Sequence, residues 1–253
     1  MAPNGARRNR DNHPQLPVNL SQIVDCAEKC WQAGAHEIHL HVRDDAGLHS
    51  LSADIYRRTM DAIGDRVPNM DIQVTTEAAG RYDVAEQFAL LQDLKPRAAS
   101  IAIRESMREP DLVEPLYAFA AEAQIKVQHI LYDLDDLAQL RRQFDEAAIP
   151  AHMRDVLLVF GAYSPERLAQ PEEVEPFVQA LGDDFPNWTI CAFGQHENAV
   201  AQEAIRLGGH IRIGFENNIQ RPDGSLATDN AENIALALKS AQTLNRSILQ
   251  RSQ

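Results

Sequence analysis

Residues 35–43 read AHEIHLHVR, and polar and apolar side chains alternate along this segment. The alternation predicts a β-strand, because successive side chains of a strand point to opposite faces. The polar face would carry Glu37, His39, His41 and Arg43. A polar face opposite an apolar one is typical of a strand with helices outside and a functional cavity inside. Two imidazoles spaced two residues apart can bind one divalent cation, although two histidines that merely end a buried strand would produce the same motif.

Residues 208–218, GGHIRIGFENN, repeat this pattern. Arg212 and Glu216 would share one face of a second strand. A glutamate at the carboxyl end of that strand, facing the same interior as His39 and His41, would complete a set of two histidines and one carboxylate. Such a set leaves coordination positions open for substrate or water, as a catalytic metal requires.

Along the chain, strand-like and helix-like patterns follow one another regularly. Strands are predicted at residues 36–43, 70–76, 98–103, 125–132, 154–161, 188–193 and 209–216. Helices are predicted at residues 20–33 (with Ser21 as N-cap), 53–63, 84–94, 112–123, 134–147, 172–181, 197–207 and 231–244. This is one strand short of an eightfold repeat, and residues 3–8 lie where the carboxyl end and loop of a first strand belong.

The pattern predicts an α/β protein, a (β/α)8 TIM barrel with a truncated or frayed first strand. A length of 253 residues suits a single TIM-barrel domain over residues 1–253. The alternative, a doubly wound sheet, would require a G-x-G-x-x-G loop after an early strand, and the sequence has none.

The composition restricts the partners. A net charge of −13 argues against binding to nucleic acid or to an anionic membrane surface. No apolar run has the length of a membrane span, and the N-terminus has no hydrophobic signal core. We therefore expect a cytoplasmic protein whose three cysteines are reduced.

Together these motifs resemble the β-keto acid cleavage enzymes, of the 3-keto-5-aminohexanoate cleavage type, and the chain would be a divergent member. The resemblance runs from Asn4 to about Ala237. Its signatures are NGAR at 4–7, GA at 34–35 before His39-x-His41-x-Arg43, IQVTT at 72–76, KP at 95–96, Trp188, GGHIRIGFE at 208–216, DGSLA at 223–227 and NA at 230–231. The two histidine-containing signatures are specific in combination, whereas either one alone would be weak.

The resemblance implies a TIM barrel with one zinc ion per chain, held by His39, His41 and Glu216. Enzymes of this kind transfer the acyl part of a β-keto acid to acetyl-CoA and release acetoacetate. Arg212 would hold an anionic oxygen during catalysis. Thr75 and Ser100 would donate hydrogen bonds to the substrate, with plain strand-end capping as the alternative role for both. We also expect a homodimer or a homotetramer.

The chain departs from the family at several catalytic positions. Asn217 stands where the family has the aspartate presumed to act as base, and an amide cannot accept a proton at neutral pH. Gln128 and Ile130 replace two glutamates, Ala102 replaces an asparagine, and Gln195 replaces an arginine. The metal residues are therefore retained while the acids around them are lost.

Arg7 is a further departure, because the named family member has a glutamate there that is thought to meet the amino group of its substrate. The reversed charge predicts contact with an anionic substrate tail.

Three hypotheses remain. The first is a zinc-dependent β-keto acid cleavage enzyme that uses acetyl-CoA. The second is a divergent zinc lyase or hydrolase that does not use CoA, with His196, His210 or hydroxide as base. The third is a non-catalytic protein that binds keto acids or acyl-CoA on the same scaffold.

Overall fold

The computed structural model describes residues 1–163 and 165–246, and its centre is a curled sheet of seven parallel strands. The strands are β1 (Glu37–Leu40), β2 (Val42–Arg43), β3 (His49–Ser50), β4 (Asp71–Thr75), β5 (Ala98–Ala102), β6 (Lys126–Leu131), β7 (Asp155–Phe160), β8 (Ala162–Tyr163), β9 (Glu166–Arg167), β10 (Trp188–Ala192) and β11 (His210–Ile211). The order in the main sheet is β1-β4-β5-β6-β7-β10-β11, and the pairs β2-β3 and β8-β9 form two short antiparallel hairpins.

The helices alternate with the strands of the main sheet. They are α1 (Leu20–Gln32), α2 (Ala53–Arg66), α3 (Val84–Leu94), α4 (Ile103–Ser106), α5 (Val113–Glu122), α6 (Leu134–Asp145), α7 (Val174–Leu181), α8 (Glu197–Leu207) and α9 (Asn230–Thr243). Short 3-10 turns occur at Pro110–Leu112, Pro171–Glu173 and Gly182–Asp184. Across residues 1–163 and 165–246, no helix has both the length and the apolar character needed to cross a membrane.

The N-terminal residues close the sheet into a barrel. The backbone N–H of His39 donates to the carbonyl oxygen of Met1 at 2.8 Å, so the N-terminus pairs with β1. On its other side, Ala2 donates to the carbonyl oxygen of Ile213 at 2.9 Å and accepts from the N–H of Glu216 at 3.1 Å. This short segment takes the place of the eighth strand. The predicted TIM barrel with a frayed first strand is confirmed.

Side-chain alternation along the strands separates two apolar regions. Outward-facing side chains such as Val74 and Ile101 join the large core between the sheet and the helices. A second, smaller cluster consists of Ala102, Ile130, Leu157, Val159 and Cys191. Its members come from β5, β6, β7 and β10 at positions that alternate with the outward ones. This part of the barrel interior is therefore apolar.

Helix α1 begins at Leu20 as predicted, but its N-cap is Asn19 rather than Ser21. The side chain of Asn19 accepts a hydrogen bond from the N–H of Gln22 at 3.0 Å, and the Gln22 side chain accepts from the N–H of Asn19 at 3.3 Å. This reciprocal capping satisfies two N–H groups that the helix itself leaves free. Ser21 as the N-cap was wrong, because its hydroxyl only donates to Asn19.

Two predicted strands were too long. The strand predicted at 36–43 ends at Leu40, and Val42–Arg43 instead pairs antiparallel with His49–Ser50. The strand predicted at 209–216 is regular only over His210–Ile211. Beyond this strand, the N–H groups of residues 217 and 218 both donate to the carbonyl oxygen of Gly214, and the chain turns. A side chain at position 214 would lie 2.2 Å from the carbonyl oxygen of Ala2, so only glycine fits beside the N-terminal segment.

Candidate metal centre

The two histidines and the glutamate predicted to bind a metal converge at one place. The Nε2 atoms of His39 and His41 are 3.2 Å apart. The Oε2 atom of Glu216 lies 3.4 Å from Nε2 of His41 and 3.8 Å from Nε2 of His39. All three residues are buried, and one ligand atom from each falls within 4.8 Å of the others. It is the one group of three or more such donors found in the described residues.

The chemistry of this donor set fits a divalent cation. Burial and the nearby charge of Arg212 lower the pKa of His39 well below its usual value, and burial and His39 do the same for His41. Both rings are therefore neutral and offer lone pairs, the state in which histidine binds metals. The Oε2 atom of Glu216 is buried without a hydrogen-bond donor. Three protein ligands of this kind are the number found in catalytic zinc sites.

Arg212 lies beside the set and has unused donors. One of its terminal nitrogens, Nη2, donates to Oε1 of Glu216 at 3.0 Å and to the sulfur of Cys191 at 3.4 Å. Its Nε and Nη1 atoms are buried without an acceptor. A buried N–H without a partner costs free energy. These two groups are placed to donate to an anionic oxygen next to the metal residues.

Two charged residues that were not found from the sequence hold the turn that carries Glu216. Arg8 donates to the carbonyl oxygens of Phe215 at 2.7 Å and of Asn217 at 3.3 Å. Glu197, at the start of α8, accepts from the N–H of Gly214 and from the side-chain amide of Asn218, both at 3.2 Å. Burial raises the pKa of Glu197 to about 8. Neither residue belongs to an alternating strand motif, so no local sequence pattern predicted a role for it at the site.

The remaining predicted residues differ in their surroundings. Asn217 is buried, and its side-chain oxygen has no partner. The hydroxyl of Ser100 is likewise buried without a partner. The hydroxyl oxygen of Thr75 accepts from the N–H of Glu77 at 3.0 Å, which is the capping role given above as its alternative. Among these three, Ser100 and Asn217 retain polar atoms that a ligand can satisfy.

Arg7 faces a carboxylate that the sequence analysis did not select. Its Nη2 atom lies 3.8 Å from Oε1 of Glu77, and 55% of the Arg7 side chain is exposed. The other oxygen of Glu77 lies 3.9 Å from Nε2 of His41. Burial, together with the charge of Glu216, raises the pKa of Glu77 to about 7. The sequence could have predicted Glu77 as an inward-facing residue, because it continues the alternation of Gln73 and Thr75 beyond the end of β4.

Three other polar residues singled out from the sequence lie away from the converging atoms. His210 is exposed at the beginning of β11, at the far end of that strand from Glu216. His196 is half-buried, and its Nδ1 lies 2.9 Å from the carbonyl oxygen of Ala169. Arg43 donates to the carbonyl oxygens of residues 5, 6 and 8, so it holds the loop that carries Arg7.

A barrel whose polar residues meet at the carboxyl ends of its strands has the architecture of a TIM-barrel enzyme. The whole chain, residues 1–253, matches the model of the beta-keto acid cleavage enzyme family. The chain belongs to this family, which confirms the resemblance inferred from the motifs.

Known relatives agree with this assignment. The chain is 27% identical over 254 residues to the 3-keto-5-aminohexanoate cleavage enzyme of Fusobacterium nucleatum, covering 96% of this chain and 90% of that protein. It is 29% identical over 235 residues to the 3-oxoadipate:acetyl-CoA acetyltransferase of Cupriavidus necator, covering 88% of this chain and 80% of that one.

Among solved structures, the complex of ObcA with oxaloacetate superposes with a TM-score of 0.75 at 16% identity. The alignment covers 93% of this chain but only 65% of ObcA, so this chain spans about two thirds of the length of that protein. The likeness supports the barrel fold.

Proposed function

We propose that this protein is a carbon–carbon bond cleaving acyltransferase, which moves the acyl part of a β-keto acid to acetyl-CoA and releases acetoacetate. The observation that carries the proposal is the convergence of His39, His41 and Glu216 beside the unpartnered N–H groups of Arg212. Membership of the β-keto acid cleavage enzyme family and the acetyl-CoA-dependent transferase from Cupriavidus necator support it.

In this proposal His39, His41 and Glu216 hold one zinc ion. When bound, a divalent cation supplies Lewis-acid polarisation of a carbonyl oxygen. Arg212 binds the negative charge of the substrate through its Nε and Nη1 atoms, which have no protein acceptor. Charge-assisted hydrogen bonds of this kind are stronger than neutral ones, above all where water is excluded. Ser100 on β5 adds a buried hydroxyl group without a protein partner, next to Thr75 on β4, whose hydroxyl oxygen keeps its capping bond.

A proton acceptor other than Asn217 is needed for the cleavage step, because an amide has no basic oxygen at neutral pH. We propose that the Glu77 carboxylate takes this role. It lies 3.9 Å from His41 and is not part of the converging set of three. Its competing contact with Arg7 and its distance from the site make it a weaker substitute for a carboxylate at position 217.

Dependence on CoA distinguishes the proposed activity from the two alternatives. We expect purified protein loaded with zinc to convert members of a β-keto acid panel only when acetyl-CoA is present, with acetoacetate and a new acyl-CoA as products in equal amounts. Mass spectrometry of both products measures this. Turnover without acetyl-CoA would favour the lyase or hydrolase. Ligand-induced thermal stabilisation without any turnover would favour the binding protein.

The proposed metal residues predict one tightly bound divalent ion per chain. Two imidazoles and one carboxylate match the ligands of catalytic zinc sites, although iron and manganese accept the same donors. Metal analysis of the purified protein should find this ion, and the His39→Ala/His41→Ala double variant should lose it. His210→Ala/His196→Ala is the matched control, since neither ring joins the converging set, and it should keep the metal. Stoichiometric metal in the first double variant would falsify the assignment.

Because Asn217 is not a base, we expect the wild-type enzyme to cleave β-keto acids slowly, and a carboxylate at position 217 should raise the rate. General-base assistance is worth on the order of 10²–10⁴ in rate, so Asn217→Asp should raise kcat for cleavage by at least about tenfold. Asn217→Ala removes the amide without adding a base and should give no increase. Steady-state kinetics on one β-keto acid measures all three proteins. A fast wild-type enzyme that Asn217→Asp does not improve would mean that no base is missing at this position.

The same kinetics tests Glu77. Glu77→Gln should lower kcat of the wild-type enzyme by at least about tenfold, for the same reason. In the Asn217→Asp background the same change should cost much less, because the aspartate then accepts the proton. Equal losses in both backgrounds would assign Glu77 a structural role instead.

Arg7 predicts a substrate with an anionic tail. The Arg7–Glu77 contact is long and partly exposed, so it is worth little and a substrate anion can replace it. Arg7→Glu should lower kcat/KM for a dicarboxylic β-keto acid, relative to an aminated one, by about tenfold, which is about 1.4 kcal/mol. Arg10→Glu, with the same charge change on the same exposed segment, should leave the ratio unchanged. If both variants shift the ratio equally, Arg7 does not contact the substrate.

A further inference from the structure

A line of hydrogen bonds leads from His39 across the barrel interior. The Nδ1 atom of His39 lies 2.7 Å from Oε1 of Gln73. The Gln73 side-chain amide donates to Oε1 of Gln128 at 3.2 Å, and the Gln128 amide donates to the hydroxyl oxygen of Thr189, also at 3.2 Å. These four residues belong to β1, β4, β6 and β10. The line therefore connects one proposed metal ligand to strands that contribute none.

The order of donors and acceptors along this line determines the tautomer of His39. A glutamine side chain has one accepting oxygen and one donating nitrogen. Because Gln73 gives its nitrogen to Gln128, its oxygen faces His39, and an oxygen can only accept a proton. The Nδ1 atom of His39 must then carry the proton, which leaves the lone pair on Nε2.

The lone pair on Nε2 is the one that metal binding requires. Nε2 of His39 is the atom that lies 3.2 Å from Nε2 of His41 and 3.8 Å from the carboxylate of Glu216. If both amides were reversed, the nitrogen of Gln73 would face Nδ1. The proton of the neutral ring would then sit on Nε2, among the other ligand atoms, where it would exclude a cation.

We propose that Gln73 and Gln128 are positioning residues that hold His39 in its metal-binding tautomer. Hydrogen bonds to the second ring nitrogen of a histidine orient the ring and fix its tautomer in known metal sites. Here the line extends to a second glutamine, so the orientation of the Gln73 amide is coupled to that of Gln128, whose own nitrogen donates to Thr189. This inference rests on the proposed metal role of His39, and it gives Gln128 a function even though the family carboxylate is absent.

The tautomer can be measured directly in metal-free protein. In histidine labelled with ¹⁵N, nitrogen chemical shifts and two-bond couplings to ring protons distinguish Nδ1–H from Nε2–H. The signals of His39 are identified by their loss in His39→Asn. We expect Nδ1–H in the wild type, a mixture of both forms in Gln73→Met and Gln128→Met, and recovery of Nδ1–H in Gln128→Glu. A carboxylate at 128 can accept from Gln73 but cannot donate to it, so it preserves the orientation.

Zinc affinity, measured by competition with a chelator, provides a second readout. Gln73→Met should raise the Kd for zinc by about 10–100-fold, the usual cost of removing such a partner. Gln128→Met should have a smaller effect, and Thr189→Val the smallest, because each is one hydrogen bond further from the ring. Gln143→Met replaces another buried glutamine, on α6, whose side-chain amide donates to Glu146, and should leave the Kd unchanged.

The outcomes separate this inference from the proposed function. If the wild type binds zinc through His39 and His41 while both glutamine variants keep the wild-type tautomer and Kd, the positioning role is wrong and the proposed function stands. If the wild type shows Nε2–H in the metal-free state, the positioning role is also wrong. If the wild type binds no zinc at all, the proposed metal role itself fails.

Discussion

The backbone hydrogen bonds of Ala2 are the constraint on which the site depends. They join the N-terminal segment to Ile213 and Glu216, while Met1 accepts from His39 on the opposite side. The chain thereby brings its beginning between two segments that lie almost its full length apart. Without this segment the sheet would have two open edges, β1 and β11. The histidines and the glutamate would then sit on different edges rather than face each other.

Barrel closure also determines how charge is buried. A buried charge is tolerated when it has a partner of opposite charge. Arg212 and Glu216 form such a pair, with Nη2 of the arginine 3.0 Å from Oε1 of the glutamate. The arrangement still leaves buried polar atoms without partners, among them Nε and Nη1 of Arg212, Oε2 of Glu216 and the hydroxyl of Ser100. Each such atom costs about 1–3 kcal/mol. Arg212 and Glu216 contact each other directly, so their unpartnered atoms offer donors and an acceptor side by side, as a site for a cation and an anionic substrate requires.

The barrel interior is divided between two chemistries. One side is polar: His39 lies in β1, His41 directly after it, Gln73 and Thr75 in β4, and Glu216 in the turn after β11. Strands β5, β6, β7 and β10 contribute the apolar cluster around Ile130 and Val159. The hydrogen bonds from His39 through Gln73 and Gln128 connect the two halves below this cluster. On β6 two residues therefore replace the family carboxylates. Ile130 belongs to the apolar cluster, and Gln128 belongs to the line of hydrogen bonds.

The sequence by itself determined the order of elements and the face on which most polar residues lie. Hydrophobic periodicity is a local property, so the alternation of strands and helices and the exact limits of α3 and α8 could be read directly. The same periodicity placed His39, His41 and Arg212 on interior faces. It also placed Glu216 on the same interior face as their partner, although the regular strand ends five residues before Glu216.

Only the tertiary structure decided which residues meet. Glu216 reaches the histidines because Gly214 turns the chain against Ala2, and that contact depends on the barrel being closed. Arg8, Glu197 and Glu77 act through partners distant in sequence, so no local pattern could pair Arg8 with Phe215, or Glu197 with Gly214. Arg43 shares the histidine face in the sequence pattern, yet it binds the N-terminal loop. Side-chain identity and periodicity are local, whereas the distance between two side chains is a property of the closed barrel.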